Sequence, residues 1–246
     1  MIALEHVLPY GGAEEKDVQV KRMFDTIAGR YDRLNHILSL GFDRQWRRRG
    51  VDFLRPYAPE TILDIASGTG DLAMLMCRRL RPGRVICADI SKKMMAIGSE
   101  KAAKAGFSDF VLFEYQNVMS LSYADQSFDA VTAAFGVRNF AHIEQGLAEM
   151  YRVLKPGGHV MILELSAPDY FPMKQLYRLY SKVMIASVGG WLGLEKAAYN
   201  YLPASVKVVP QGRKMTKLLS EQGFVEAGAK TFTFGVCSLY TGKKSM

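Results

Sequence analysis

The chain has 246 residues, of which 49% are hydrophobic and 23% charged, a balance that suits an ordinary globular protein and excludes a fibrous or low-complexity one. Its formal net charge of +8 fits nucleic acid, an anionic lipid surface or plain solvation, and charge alone does not choose among them. Three scattered cysteines (Cys77, Cys87, Cys237) and four dispersed histidines (His6, His36, His142, His159) predict a reducing compartment, no disulfide framework and no metal site.

In chain order, the acidic start (Glu5, Glu14, Glu15, Asp17) lacks the apolar core of a secretory signal, and residues 1–17 are expected to be flexible. Val20, Phe24, Ile27 and Tyr31 recur at helical spacing, and a second helix is predicted from Asp43 to Leu54, stopped before Pro56. Apolar runs at Thr61–Ile65, Arg84–Asp89, Asp109–Tyr115, Asp129–Ala134 and His159–Glu164 read as strands. Helical patterns at Met94–Gly106 and Ile143–Leu154 lie between them, so a parallel sheet covered on both faces is expected. An aromatic-rich insertion between Ser166 and Pro210 follows. There Met173, Tyr177, Tyr180 and Met184 share a helical face, either as core packing or as a lid over an apolar substrate. The stretch from Val183 to Leu194 is apolar but too short to span a bilayer. A helix around Met215, Leu218 and Leu219 ends at Gly223. Phe224–Ala229 and Lys230–Lys243 then read as strands whose short connection demands antiparallel pairing.

The chemistry concentrates at Asp64-Ile65-Ala66-Ser67-Gly68-Thr69-Gly70-Asp71. A strand, a glycine turn and a helix, with Asp89 closing the next strand, form half of a nucleotide-binding sheet. The glycines let backbone approach a ligand, and Asp89 can accept both hydroxyls of a ribose. Gly68-x-Gly70-x-x-Ala73 also satisfies the loose dinucleotide pattern, so two ligands fit. The flanking carboxylates Asp64 and Asp71 would repel a pyrophosphate and suit the sulfonium and ammonium of S-adenosylmethionine better. The mostly parallel α/β sheet with a C-terminal antiparallel hairpin is the shape expected of a Rossmann-like class I methyltransferase. The chain is read as one domain, with an N-terminal helical cap (18–57), a cofactor-binding core (58–166), the insertion (167–210) and a C-terminal helix and hairpin (211–246).

Four further stretches are more specific. They are Tyr31-Asp32-Arg33-Leu34-Asn35-His36-Ile37-Leu38-Ser39, Phe135-Gly136-Val137-Arg138-Asn139, Arg152 to Ser166 around Lys155-Pro156-Gly157-Gly158, and Tyr199-Asn200-Tyr201-Leu202-Pro203-Ala204-Ser205-Val206. Together, in this order, they resemble the quinone-biosynthesis C-methyltransferases over roughly residues 18 to 242. That resemblance implies S-adenosylmethionine as methyl donor and a prenylated hydroquinone as acceptor, of the demethylmenaquinol type, with a ubiquinone precursor as a second acceptor left open. It implies that Thr69, Asp89, Asn117 and Val118 line the cofactor pocket, beside Asp64, Gly68 and Gly70 of the turn read above as cofactor-binding. Some positions depart from the family: Leu34 stands where Met is usual, Asp43 where His is frequent, Val118 where Ala is common, and Ala134 where some members carry a contacting Ser.

Methylating an aromatic carbon requires a nucleophilic ring, an aligned methyl group and a dry site. A hydroquinone carbon gains nucleophilicity as its neighbouring hydroxyl loses a proton, so the phenolate needs a cationic partner. Arg138 is the expected partner, because a guanidinium stabilises an oxyanion without titrating. Its competing reading is a structural bridge to Glu164 or Asp129. Asn139 is expected to orient the ring or cap the next helix, and Tyr31 to bond the second ring oxygen or pack in the core. A nucleic-acid methyltransferase is disfavoured by the sequence after the fourth strand, Ala134-Phe135-Gly136-Val137-Arg138-Asn139, which lacks the Pro-Pro-aromatic pattern of amine methylators. A nicotinamide-dependent oxidoreductase is a second rival, and a non-catalytic scaffold that binds cofactor or membrane is a third, disfavoured by Arg138-Asn139 beside the pocket. The expected setting is cytoplasmic, peripheral to the inner membrane face, and the aromatic insertion suits a homodimer contact as well as a lid.

Overall fold

A computed structural model describes residues 2–191 and 196–246, with side chains from 184 to 199 outside the description. One seven-stranded sheet runs in the order β3-β2-β1-β4-β5-β7-β6. Strands β1 (Thr61–Ile65), β2 (Arg84–Asp89), β3 (Val111–Tyr115), β4 (Phe128–Ala134) and β5 (Leu154–Leu165) are mutually parallel. Strands β6 (Val225–Phe232) and β7 (Cys237–Lys243) form a hairpin, and β7 enters antiparallel beside β5. The helices are α1 (Lys16–Ile27), α2 (Tyr31–Leu38), α3 (Phe42–Leu54), α4 (Asp71–Leu80), α5 (Lys92–Lys104), α6 (Ile143–Val153), α7 (Met173–Trp191), α8 (Lys196–Val208) and α9 (Arg213–Glu221). From β1 the chain winds outward through β2 and β3, then returns to start again at β4. That reversal opens a crevice beyond the carboxyl ends of β1 and β4, where ligands bind in open sheets of this type.

The alternation of strand side chains builds a core on each face. On one face Leu63, Val131, Val160 and Ile162 pack with Ile143, Leu147 and Met150 of α6 and with Met215 and Leu219 of α9. On the other Ile62, Ala130, Met161 and Leu163 pack with Trp46, Val51 and Leu54 of α3 and with Leu72, Ala73 and Met76 of α4.

Several boundaries differ from those read in the sequence. The Val20–Tyr31 periodicity is broken by a 3-10 turn, Ala28–Arg30, so Tyr31 opens a second helix instead of closing the first. The hairpin turns at Thr233–Gly235 and not at Ala229–Lys230, because Phe234 (φ 57°) and Gly235 (φ 92°) adopt the left-handed conformations that reverse the chain. Strand β5 starts at Leu154, which pairs with Phe128 of β4, and the ladder resumes at His159 opposite Ala130 after an irregularity that contains Gly157 (φ 76°). The N-terminal segment also packs: Leu4 is fully buried in the α6 face, and Gln19 binds the backbone of Tyr10, Gly11 and Glu14. Burying Leu4 and satisfying those peptide groups gives the segment a fixed course. On the insertion, Met184, Trp191 and Tyr199 lie outside the described side chains.

Candidate active site

The glycine turn follows β1 directly. Ala66 (φ 50°), Gly68 (φ 56°) and Gly70 (φ 75°) carry it through left-handed conformations, and a Cβ at Gly70 would lie 2.7 Å from the Phe113 ring. Asp89, at the end of β2, secures the turn. Its carboxylate accepts the Gly68 N–H (2.8 Å) and the Ser91 N–H (2.8 Å), joining turn and α5 start, and each oxygen keeps a further lone pair for a ligand. Burial raises its pKa despite these bonds.

Above the turn lies a cavity with about 680 Å³ of empty space, including its mouth. Phe24 and Tyr31 come to it from the helical cap, Gly68 from the turn, Asp89 and Ile90 from β2, Asn117 and Val118 from the end of β3, and Phe135, Gly136 and Asn139 from the loop after β4. Close approach of the two loops depends on Gly136, where a Cβ would stand 2.6 Å from that of Ala66. The amide of Asn117 donates to Asp17 (3.0 Å), tying the β3 edge to α1.

Gly68, Asp89, Asn117 and Val118, expected at the cofactor, line this cavity together with Tyr31 and Asn139, expected at the ring, whereas Thr69, Gly70, Asp64 and Arg138 do not line it. The Thr69 hydroxyl turns the other way, donating to Asp32 (2.5 Å) and accepting from Lys101 (3.1 Å). Lys101 also reaches Asp32 (2.7 Å) and Asp71 (2.5 Å). That cluster draws Thr69 to the outer side of the turn. Gly70 caps α4 against Phe113. Asp64 is buried beneath the turn, accepts from Thr132 (2.7 Å), and is pushed up to about 7 by burial.

Arg138 faces a second cavity that meets the first at Phe135. Asn35, Leu38, Trp46, Phe135, Arg138, Tyr177, Tyr180, Leu202 and Val206 line it. Arg138 pairs with Glu164 through Nη1 (2.8 Å), and Glu164 also accepts the Arg138 backbone N–H (3.0 Å). Asp129, the other partner considered in the sequence, binds Thr61 and Lys155 instead. The Tyr180 hydroxyl donates to the Leu38 carbonyl (2.8 Å), closing α7 over α2. Burial raises the pKa of Tyr31, Tyr177 and Tyr180, so all three stay neutral donors.

Unpartnered buried side-chain atoms lie at both cavities and in the glycine turn between β1 and α4, where the Ser67 hydroxyl is one of them. Asp64 Oδ2, beneath the glycine turn, and Asn139 Oδ1, at the first cavity, are acceptors without donors. Arg138 Nε and Asn35 Nδ2, at the second, are donors without acceptors. Buried polar atoms need partners. Acceptors at the glycine turn fit an ammonium group and oppose a pyrophosphate, which favours S-adenosylmethionine over a dinucleotide. Donors in an aromatic cavity fit the oxygens of a ring. Asn35 and Phe135 were not singled out as site residues in the sequence reading, although both stand inside the stretches that carry the resemblance. Among the described residues, no group of three or more His, Cys, Asp or Glu side chains could hold a metal ion, and no helix is long and apolar enough to cross a membrane.

This sheet order, with a glycine turn and acid-tipped second strand beneath such a cavity, is that of a class I S-adenosylmethionine-dependent methyltransferase. The chain belongs to the ubiE/COQ5 methyltransferase family, whose model matches residues 12–244. It is 49% identical over 240 residues to a demethylmenaquinone methyltransferase of Bacteroides fragilis, covering 98% of each chain. A protein of the same name from Porphyromonas gingivalis is 44% identical over 241 residues, again covering 98% of each. The fold aligns with a crystal structure of a putative S-adenosyl-L-methionine-dependent methyltransferase from Methanococcus maripaludis at TM-score 0.62 and 17% identity, covering 96% of this chain and 97% of that one.

Proposed function

We propose that this methyltransferase C-methylates the ring of a prenylated demethylmenaquinol to give menaquinol, acting in the cytoplasm at the membrane face. The observation that carries the reading is the pair of unpartnered donors, Arg138 Nε and Asn35 Nδ2, in an aromatic cavity that shares Phe135 with the cofactor cavity. S-adenosylmethionine supplies a sulfonium-activated methyl group when bound.

The chain's own residues do the rest. Gly68, Asp89, Asn117 and Val118 hold the nucleoside, with Asp89 accepting from the ribose. Asn139 holds the amino-acid end and Asp64, buried beneath the turn, acts on it through charge, while Thr69 and Gly70 act only by shaping the turn. Leu38, Trp46, Phe135 and Tyr180 sandwich the ring and exclude water, which strengthens electrostatics in the cavity. Arg138 faces the developing phenolate through Nε, and Glu164 keeps the guanidinium in place. Asn35 and Tyr31 meet the ring's other oxygen. The phenolate's ring carbon takes the methyl group as the methyl–sulfur bond breaks to leave S-adenosylhomocysteine, and that carbon then gives its proton to water, which restores the aromatic phenolate opposite Arg138.

Two measurements test this. Quinones extracted from cells lacking the protein should contain a demethylated naphthoquinone with an unaltered tail. Arg138→Lys should leave S-adenosylhomocysteine affinity within a few-fold of wild type while turnover falls about a hundredfold, because a charge-assisted hydrogen bond is lost. Turnover near the wild-type level would remove Arg138 from the chemistry.

A further inference from the structure

The outer face of the insertion carries more exposed apolar surface than packing explains. On α7, Leu176, Leu179 and Val183 recur at helical spacing and are 54%, 62% and 53% exposed, while Phe171 just before the helix is 79% exposed. A second stripe on the same helix, Lys174, Arg178 and Lys182, is basic at every fourth residue. These three line an open groove together with Lys207 of α8 and Lys214 and Lys217 of α9, against two acids, Asp169 and Glu221. The groove and the ring cavity have walls in common: Tyr177, Ser181, Pro203 and Val206 belong to both.

We propose that this face docks the enzyme on an anionic lipid bilayer. The basic rim meets the headgroups and the Leu176–Leu179–Val183 stripe enters the interface, so that the groove mouth opens onto the membrane at the ring cavity's edge. Basic and apolar stripes side by side on one helix are the composition of an interfacial helix. The charge argues against a second copy as the occupant. In a two-fold dimer the same patch faces itself, and the cations of one rim would oppose those of the other. The proposal rests on the reading of a lipid-borne acceptor only for its purpose; the docking itself is independent of the substrate.

The test is flotation with the full chain on vesicles of phosphatidylcholine alone and of phosphatidylcholine mixed with phosphatidylglycerol. Wild type should bind the mixed vesicles, ignore the neutral ones, and release at high salt. Juxtamembrane cations contribute about fivefold each in affinity, so Lys174→Gln/Arg178→Gln/Lys182→Gln should weaken binding on the order of a hundredfold. The same variant should methylate a short-tailed demethylnaphthoquinol in solution at the wild-type rate and a long-tailed one in vesicles at least several-fold more slowly. Leu176→Ser/Leu179→Ser should bind less tightly at unchanged salt dependence. Equal binding to neutral and anionic vesicles, or none to either, overturns the proposal. So does a wild-type dimer that the serine variant splits while vesicle binding stays put, since the face would then join two chains. Anionic-selective binding by a protein that methylates no naphthoquinol would support the docking and defeat the acceptor reading instead.

Discussion

Arg138 and Glu164 meet 2.8 Å apart with side chains only 6% and 1% exposed, one on the loop after β4 and the other near the end of β5. Glu164 also holds the Arg138 backbone N–H, so one carboxylate fixes both the guanidinium and the loop that bears it. Removing one partner of such a pair leaves an uncompensated buried charge, which costs about 3–5 kcal/mol. Arg138→Ala should therefore lower unfolding free energy by that amount in urea titrations, and its activity must be read on the folded fraction. A loss below about 1 kcal/mol would mean that the charge is not uncompensated.

Asp64 makes the fold sensitive to pH. Burial pushes its carboxyl from the ordinary value near 3.8 up to about 7, so between those limits the folded state holds a proton that the unfolded state has released. The stabilising contribution of the protonated form is thus complete below the unfolded value and fades as pH rises toward 7. The unliganded protein should lose stability over that window, at up to roughly 1.4 kcal/mol per pH unit, and Asp64→Asn should flatten the slope. A bound ammonium favours the carboxylate, so binding of S-adenosylmethionine near pH 6 should release a proton. Calorimetry in buffers of different ionisation enthalpy would detect it, and identical heats across buffers would exclude it.

The narrow gap at Gly136 supports a prediction about cofactor affinity. A methyl group there would lie 2.6 Å from the Ala66 Cβ and 3.6 Å from the Ala66 carbonyl oxygen, forcing the two loops that wall the first cavity apart. Overpacking of this kind costs about 1–3 kcal/mol. Gly136→Ala should bind S-adenosylhomocysteine at least tenfold more weakly, as followed by calorimetry, with a smaller effect on thermal unfolding. Unchanged affinity would show that the loops accommodate the methyl without moving.

Lys101 clasps the cap to the core. From α5 it reaches Asp32 on α2 and Asp71 at the start of α4, while Tyr31, the neighbour of Asp32, roofs the cofactor cavity. These groups are partly exposed, so each contact contributes about 1 kcal/mol or less and weakens with salt. Lys101→Met should speed cofactor release a few-fold in stopped-flow displacement and raise amide exchange in α2 specifically. Release that is equally fast in the wild type at low salt would argue that the cap does not gate exit.

Much of this was legible in the sequence because it is local. The glycine turn, the acid at the end of β2 and the strand–helix alternation each follow from conformational freedom or periodicity within some twenty residues. The antiparallel hairpin followed from a connection too short to cross over, though its turn moved to Thr233–Gly235, where backbone conformation and not composition reverses the chain.

What lay beyond the sequence depended on partners far along the chain. Thr69 faces away from the cavity because Asp32 and Lys101, 37 and 32 positions away, both hold its hydroxyl, one as acceptor and the other as donor. Asn35 and Arg138 share a cavity only because the assembled fold brings α2 and the loop after β4 to its two sides. Leu4 is anchored by a core assembled from α6 and α9. Spacing specifies which backbone approaches a ligand, since that is set by neighbouring dihedral angles. Which side chains face the ligand is decided by the burial and charge pairing of the assembled fold, where a hydroxyl or guanidinium turns toward the partner that best offsets its desolvation.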